Sequence, residues 1–318
     1  MNKIYTYTTL VVFAMAMCLP MGCGSNDDSQ LVTDNMTDSV KLAKLDLQLE
    51  KNPDDCEARY LRARVLFHMG QMNEARVDID RALRGEPDNL DYLLLKADIC
   101  LKNGNATDCY SVLQHAEEVS PENEEVLLKM GELTFDSKDY DRSLEYLSKV
   151  TEKDENNRAA LFMKGFIYME KGDTASAVQF FRRVCDRYPD YAPAFEHLGV
   201  LFASRNEPMA LEYLNTAIRL EPSNTNALYA LAMFYQDNGD FERAEALYHQ
   251  ILDINENSAH AWHNLGWIEL THYFDYDRAI EYFDKALAID PQMENATINR
   301  QLALETRSKI SNNKAVKQ

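Results

Sequence analysis

A proline-centred turn recurs at a nearly constant interval along this chain, and that interval constrains the fold more than any other feature. Glu86-Pro87-Asp88-Asn89 returns as Ser120-Pro121-Glu122-Asn123, Tyr188-Pro189-Asp190, Glu221-Pro222-Ser223-Asn224 and Asp290-Pro291. Pro87 to Pro121 is 34 residues, Pro121 to Pro189 twice that, Pro189 to Pro222 33, and Pro222 to Pro291 69. Self-similarity at such a period marks stacked helical hairpins, none of which can bury its apolar face alone. Phasing on the prolines divides residues 56–293 into seven units: 56–89, 90–123, 124–157, 158–191, 192–224, 225–258 and 259–293. The fifth is one residue short at Arg205-Asn206-Glu207-Pro208, and the seventh one residue long near Thr271–Asp275. Both irregularities are expected between two helices, where length is tolerated.

The same positions in each unit carry the same kind of residue. Position 8 is small throughout: Ala63, Ala97, Gly131, Gly165, Gly199, Ala232 and Gly266. So is position 20: Ala75, Cys109, Ser143, Ala177, Ala210, Ala244 and Ala279. Small residues at two matched positions predict a close helix crossing, which larger ones would overpack. Gly70, Gly104, Gly172 and Gly239 are placed to end first helices in the left-handed conformation. Asp139, Asp173 and Asp240 then stand where the second helix needs an N-cap or first-turn acid. Phe181, Leu214, Tyr248 and Phe283 are expected to plug the next unit.

The last unit, AWHNLGWIELTHYFDYDRAIEYFDKALAIDP, resembles the tetratricopeptide repeat almost residue for residue. The resemblance covers about three quarters of the chain. It implies an all-α superhelix of about seven 34-residue helix-turn-helix units, with helical caps at 39–55 and 294–318. In the N-terminal cap Leu42, Leu45 and Leu49 have helical spacing. At the other end 296–310 reads as the closing helix and 311–318 as a loose tail, made basic by Arg300, Arg307, Lys309, Lys314 and Lys317.

The family further implies a concave groove lined by the first helices, chiefly at positions 2, 5, 9, 12 and 13. No unit carries a Lys–Asn pair at positions 5 and 9, so a clamp for a terminal carboxylate is not expected. Of the asparagine ladder of glycosyltransferase-linked members, only Asn264 stands in its place. The groove instead offers Tyr60, Phe162, Phe166, Met169, Tyr229, Met233, His263, Trp267 and Leu270. Packing between successive first helices takes part of these side chains in any such stack. The rest suit an amphipathic or extended peptide, or a partner protein, anchored by apolar groups. With 33 Lys+Arg against 52 Asp+Glu and a net charge of -19, the chain repels phosphate backbones. Nucleic acid is therefore not an expected partner, and a basic protein is. Two further readings are a self-associating structural protein and a surface glycan-binding accessory, since aromatic rings also stack on sugars.

The start of the chain reads as an address. Lys3 precedes an apolar run from Tyr5 to Leu19, and residues 1–22 have the pattern of an export signal. Leu19-Pro20-Met21-Gly22-Cys23 resembles a bacterial lipobox, which implies lipidation at Cys23 and an anchor in the outer membrane, facing the periplasm or the outside. Pro20 departs from the usual Leu there. Ordinary signal cleavage after Gly24 is the other reading. Residues 23–38 form a polar tether, and its Ser25-Asn26-Asp27-Asp28 resembles the lipoprotein export signal of Bacteroidetes. Asp38-Ser39-Val40 and Asp173-Thr174-Ala175 match the short O-glycosylation pattern of that lineage, which marks Ser39 and Thr174. Helix-start chemistry accounts for both equally well.

Catalysis is not expected. The sequence lacks a Gly-rich phosphate loop, a G-x-S-x-G elbow and H-E-x-x-H. His260 and His263 have helical spacing but no evident third ligand, so neither a metal nor another cofactor is expected. Cys56, Cys100, Cys109 and Cys185 lack ligand spacing; Cys100 and Cys109, on paired helices, could approach, and buried thiols are the expected state.

Overall fold

The computed structural model describes residues 32–33 and 35–316, with side chains to Ser311. The signal segment, Cys23 and most of the tether lie outside the described residues. The chain divides into two compact units, one ending at Pro87 and the other beginning at Asp88.

The first unit holds α1 (Asp38–Lys51), α2 (Cys56–His68) and α3 (Met72–Gly85). Leu45 and Leu49 of α1 are buried against Ala58 and Val65 of α2, with Leu42 alongside, so the lone helix caps the first hairpin. Asp78 of α3 is buried beneath two arginines of α2. It accepts from Arg59 Nη1 at 3.1 Å and from Arg62 Nε and Nη2 at 2.7 and 2.8 Å. Arg62 reaches on to Asp46 of α1 at 2.6 Å, and the Arg59 guanidinium bonds the carbonyl of Pro53. A buried carboxylate needs such partners to remain charged, and the bonds to Asp78 hold the Arg62 pKa above its usual value.

The second unit contains six hairpins: α4 (Leu90–Lys102) with α5 (Ala106–Val119), α6 (Glu124–Asp136) with α7 (Tyr140–Lys153), α8 (Arg158–Glu170) with α9 (Thr174–Arg187), α10 (Ala192–Ala203) with α11 (Met209–Leu220), α12 (Thr225–Asp237) with α13 (Phe241–Ile254), and α14 (Ala259–Ile268) with α15 (Tyr276–Ile289). Each second helix packs on the first helix of the next hairpin, and α16 (Glu294–Val316) closes the stack on α15. The closing helix thus continues past Ile310 to Val316, where the sequence reading placed a loose tail.

Why the hairpins pack so closely is visible at position 8. A Cβ on Gly165 would lie 2.6 Å from the Phe181 ring, and one on Gly199 2.5 Å from Leu214. The same holds for Gly131 under Leu147 and Gly266 under Phe283. The large residue of the second helix therefore fills the space over the small residue of its own unit. It also reaches the following unit, as expected: Phe181 stacks on His197 of α10, Tyr248 packs with Ala261 and Leu265 of α14, and Phe283 with Ala296 and Ala303 of α16. Ile79, Leu113, Leu147, Phe181, Leu214, Tyr248 and Phe283 share the slot, and each is fully buried.

Turn chemistry sets the helix ends. Side chains of Asn89, Asn123, Asn157, Asn224 and Ser258 accept from the backbone N–H three residues on and cap the first helices. Asp139, Asp173 and Asp240 do the same for second helices. Every hairpin turn contains one left-handed residue: Gly70, Gly104, Gly172 and Gly239 as expected, but Lys138, Asn206 and Phe274 elsewhere. The extra residue of the last hairpin is absorbed by a π turn, Glu269–Tyr273, which leads directly into Phe274 at φ 58°.

Candidate protein-binding face

First helices of the second unit lie side by side, α6 against α8 and α10 against α12. Their outward positions therefore form one strip. Half-buried Leu128, Glu132, Met169, Val200, Tyr229, Met233, His263 and Trp267 line it, with exposed Asp136 and Asp237 at the helix ends. Tyr60, on α2 of the first unit, is half-buried, with the Arg64 guanidinium 5.5 Å from its ring centre.

Two of the expected groove residues belong to the interior instead. Phe162 is 3 % exposed and Phe166 7 %, and their rings pack edge-on at 4.9 Å. Around them stand Phe181, Tyr191 and His197, the last 4.4 Å from Phe166. Aromatic rings at positions 5 and 9 of one first helix meet the neighbouring first helix and the large residue of their own second helix, so they are consumed by packing. Desolvation inside this box pushes the His197 pKa down to about 4. Leu270 is also buried, folded inward by the π turn.

The other end of the strip is polar and tightly bonded. Asn264 is buried, and its Nδ2 donates to the hydroxyls of Tyr229 at 3.0 Å and Tyr248 at 3.1 Å. That leaves Asn264 Oδ1 as acceptor for His263 Nδ1, 3.0 Å away, while Asn299 of α16 donates to His263 Nε2 at 3.2 Å. Tyr248 bonds Gln236 at 3.1 Å and completes a chain from α12 to α16. Both His263 nitrogens are thus engaged, and burial lowers its pKa. No group of three or more His, Cys, Asp or Glu that could hold a metal occurs among the described residues. Trp267 rests against Phe241, 6.2 Å between ring centres, with part of its surface open.

Carboxylates are what the sequence reading left unplaced. Burial raises the pKa of Glu132, Asp136 and Asp237 above the ordinary carboxylate range, and for Asp136 and Asp237 it is the one cause. Glu196 is raised by burial too, against the opposing bond from Asn224 Nδ2 at 2.8 Å. Lys129 is already committed to Asp98. The strip therefore carries one half-buried acid, Glu132, and exposed acids at two helix ends, along with its apolar side chains. Spacing alone could not find them, because Asp and Glu are spread over every face of these helices.

Several other assignments fall on ordinary structure. Ser39 is exposed in the first turn of α1, and Thr174 is half-buried at the start of α9. Cys56, Cys100, Cys109 and Cys185 are in no disulfide. Cys109 points at the Ala97 carbonyl, 3.8 Å away, and burial pushes its pKa up to about 12. No helix among the described residues is long and apolar enough to cross a membrane.

Helical hairpins of nearly constant length, each closed over a small-residue crossing, define an all-α repeat protein. Two stretches, 128–192 and 224–292, match family models described as tetratricopeptide repeat. Residues 40–116 match the model for anaphase-promoting complex, cyclosome, subunit 3. The chain belongs to the tetratricopeptide-repeat family. A curated relative, Superkiller protein 3 of Schizosaccharomyces pombe, is 30 % identical over 116 residues, which is 34 % of this chain and 8 % of that protein. The match thus spans less than a tenth of the relative's length. A tetratricopeptide repeat protein from Parabacteroides merdae aligns with TM-score 0.58 and 19 % identity, covering 78 % of this chain and 98 % of the other. The Cut9–Hcn1 hetero-tetramer of the APC/C gives TM-score 0.61 and 16 % identity over 83 % of this chain and 52 % of the other. Yeast Tom70 gives 0.58 and 20 % over 86 % and 60 %.

Proposed function

We propose that this protein is a non-enzymatic scaffold that holds a basic peptide segment of a partner protein along its strip of first helices. One observation carries the reading: half-buried Glu132 and the exposed helix-end acids Asp136 and Asp237, each with its pKa raised by partial burial, share the strip with half-buried Leu128, Met169, Tyr229, Met233 and Trp267. A partner bringing Lys or Arg with apolar neighbours would relieve the desolvation of the acids and cover the apolar surface together. Membership of a family of interaction repeats supports the same reading. The lipobox-like segment at Cys23 and the polar residues after it support an exported, lipid-anchored protein of a bacterial envelope, with the helical stack held off the membrane. Assembly or secretion in that envelope is the setting such a scaffold would serve.

The test is a crosslinked pull-down from envelope extract, with the mature chain as bait beside Asp136→Lys, Asp237→Lys. Both carboxylates are exposed at helix ends, so the variant should fold as the parent does. The expected result is a partner captured by the parent, weakened by salt, and lost by the variant. Equal capture of that partner by both baits would refute the strip as the binding face. Radiolabelled palmitate incorporation that persists in Cys23→Ser would refute the anchor.

A further inference from the structure

The last hairpin departs from the other six, and the departure opens a cavity. Its turn is lengthened by the π turn, Glu269–Tyr273, and its left-handed position holds Phe274, where four other hairpins hold glycine. A bulky side chain at φ 58° is strained, and Phe274 is also 62 % exposed. Strain and exposed ring surface are both unfavourable, and packing returns little to offset them. Beside it Tyr273 is 44 % exposed, and its hydroxyl donates to Glu245 at 3.2 Å.

These rings stand at the mouth of an open cavity of about 410 Å³ between the turn and α16. Asp275, Tyr276, Asp277, Arg307, Ile310 and Ser311 complete the lining. The lining carries two carboxylates, Asp275 and Asp277, against the one guanidinium of Arg307. Asp277 and Arg307 pair at 2.6 Å, and Asp275 is spent on capping α15, where it accepts from the Arg278 N–H at 3.0 Å. An anion would have to overcome the excess of carboxylate, and a cation would have to compete with Arg307 for Asp277. An uncharged ligand with apolar faces and many hydroxyls would meet neither obstacle. It could lay C–H surface on Phe274 and Tyr273 and use the remaining N–H groups of Arg307 and the second oxygen of Asp277. The size suits one or two sugar rings.

We infer that this C-terminal edge is a binding site for a neutral saccharide, separate from the strip of first helices. The aromatic side chains give the stacking platform, and the Asp277–Arg307 pair orients the hydroxyls.

The test uses the full chain on an array of neutral, acidic and amino glycans, followed by calorimetry with the best neutral oligosaccharide. Phe274→Ala should bind about tenfold more weakly, as loss of one aromatic platform implies. Phe274→Gly should bind as weakly while melting at or above the parent temperature, because it relieves the left-handed strain, so lost binding cannot be lost folding. Asp136→Lys, Asp237→Lys should bind the glycan as the parent does. Binding to no glycan on the array would overturn the inference. So would a preference for acidic glycans, or glycan binding that Phe274→Gly leaves intact. None of those outcomes touches the protein-binding strip.

Discussion

Replacing Gly165 by alanine tests the packing logic of the whole stack. The added Cβ would lie 2.6, 2.8 and 2.9 Å from three atoms of the Phe181 ring, where ordinary contact begins near 3.4 Å. Either the ring or the helix pair must move by nearly an ångström. The ring is not free to do so, since Phe162, Phe166 and His197 surround it at centroid distances of 5.5, 5.6 and 5.4 Å. Overpacking of this kind costs about 1–3 kcal/mol, and the upper half of that range is expected here. The chain itself suggests the rescue, because the second hairpin pairs Ala97 with Leu113 in the same slot and buries both fully. Phe181→Leu alone should destabilise by about 1 kcal/mol through the space it leaves. The double variant should be more stable than the two single losses predict, with a coupling energy of at least about 1 kcal/mol. Urea unfolding followed by far-ultraviolet circular dichroism would measure all four proteins. If Gly165→Ala unfolds with the parent, or if the two changes simply add, the crossing is not governed by this contact and the reasoning fails.

Three further outcomes follow from the same structure. His197 titrates near 4 when folded against about 6.5 when unfolded, so the unfolded chain binds the proton more readily. Its contribution is complete above pH 6.5 and is lost as pH falls to 4, at most about 3 kcal/mol. The stability difference between parent and His197→Phe should change over that window and level off below it; a constant difference would contradict the burial of the ring. Asp78→Ala leaves the buried Arg59 without its carboxylate and should destabilise the first unit by about 3–5 kcal/mol, read as increased hydrogen exchange in α1 to α3. With burial pushing Cys109 and Cys185 up to about 12 and Cys100 buried as well, an alkylating agent at pH 8 should label Cys56 first and the other three only on unfolding; rapid labelling of all four would count against the packing.

The sequence by itself determined the fold class. A 34-residue recurrence of Pro and Asn, small residues at two fixed positions and glycines in the turns each state a local requirement, and local requirements are legible one residue at a time. Caps at Asp139, Asp173 and Asp240 and left-handed turns at Gly70, Gly104, Gly172 and Gly239 were readable for that reason. Which side of an aromatic ring faces solvent is not a local property. Phe162 and Phe166 are large, largely apolar side chains at the same repeat positions as the half-open Tyr229 and Met233. They are buried because His197 and Tyr191 happen to stand opposite them on the next hairpin. The raised carboxylates and the cavity under Phe274 have the same origin. The carboxylates are raised by what covers them, and the cavity lies where the last turn meets α16, so only the packed helices decide where this protein can bind anything.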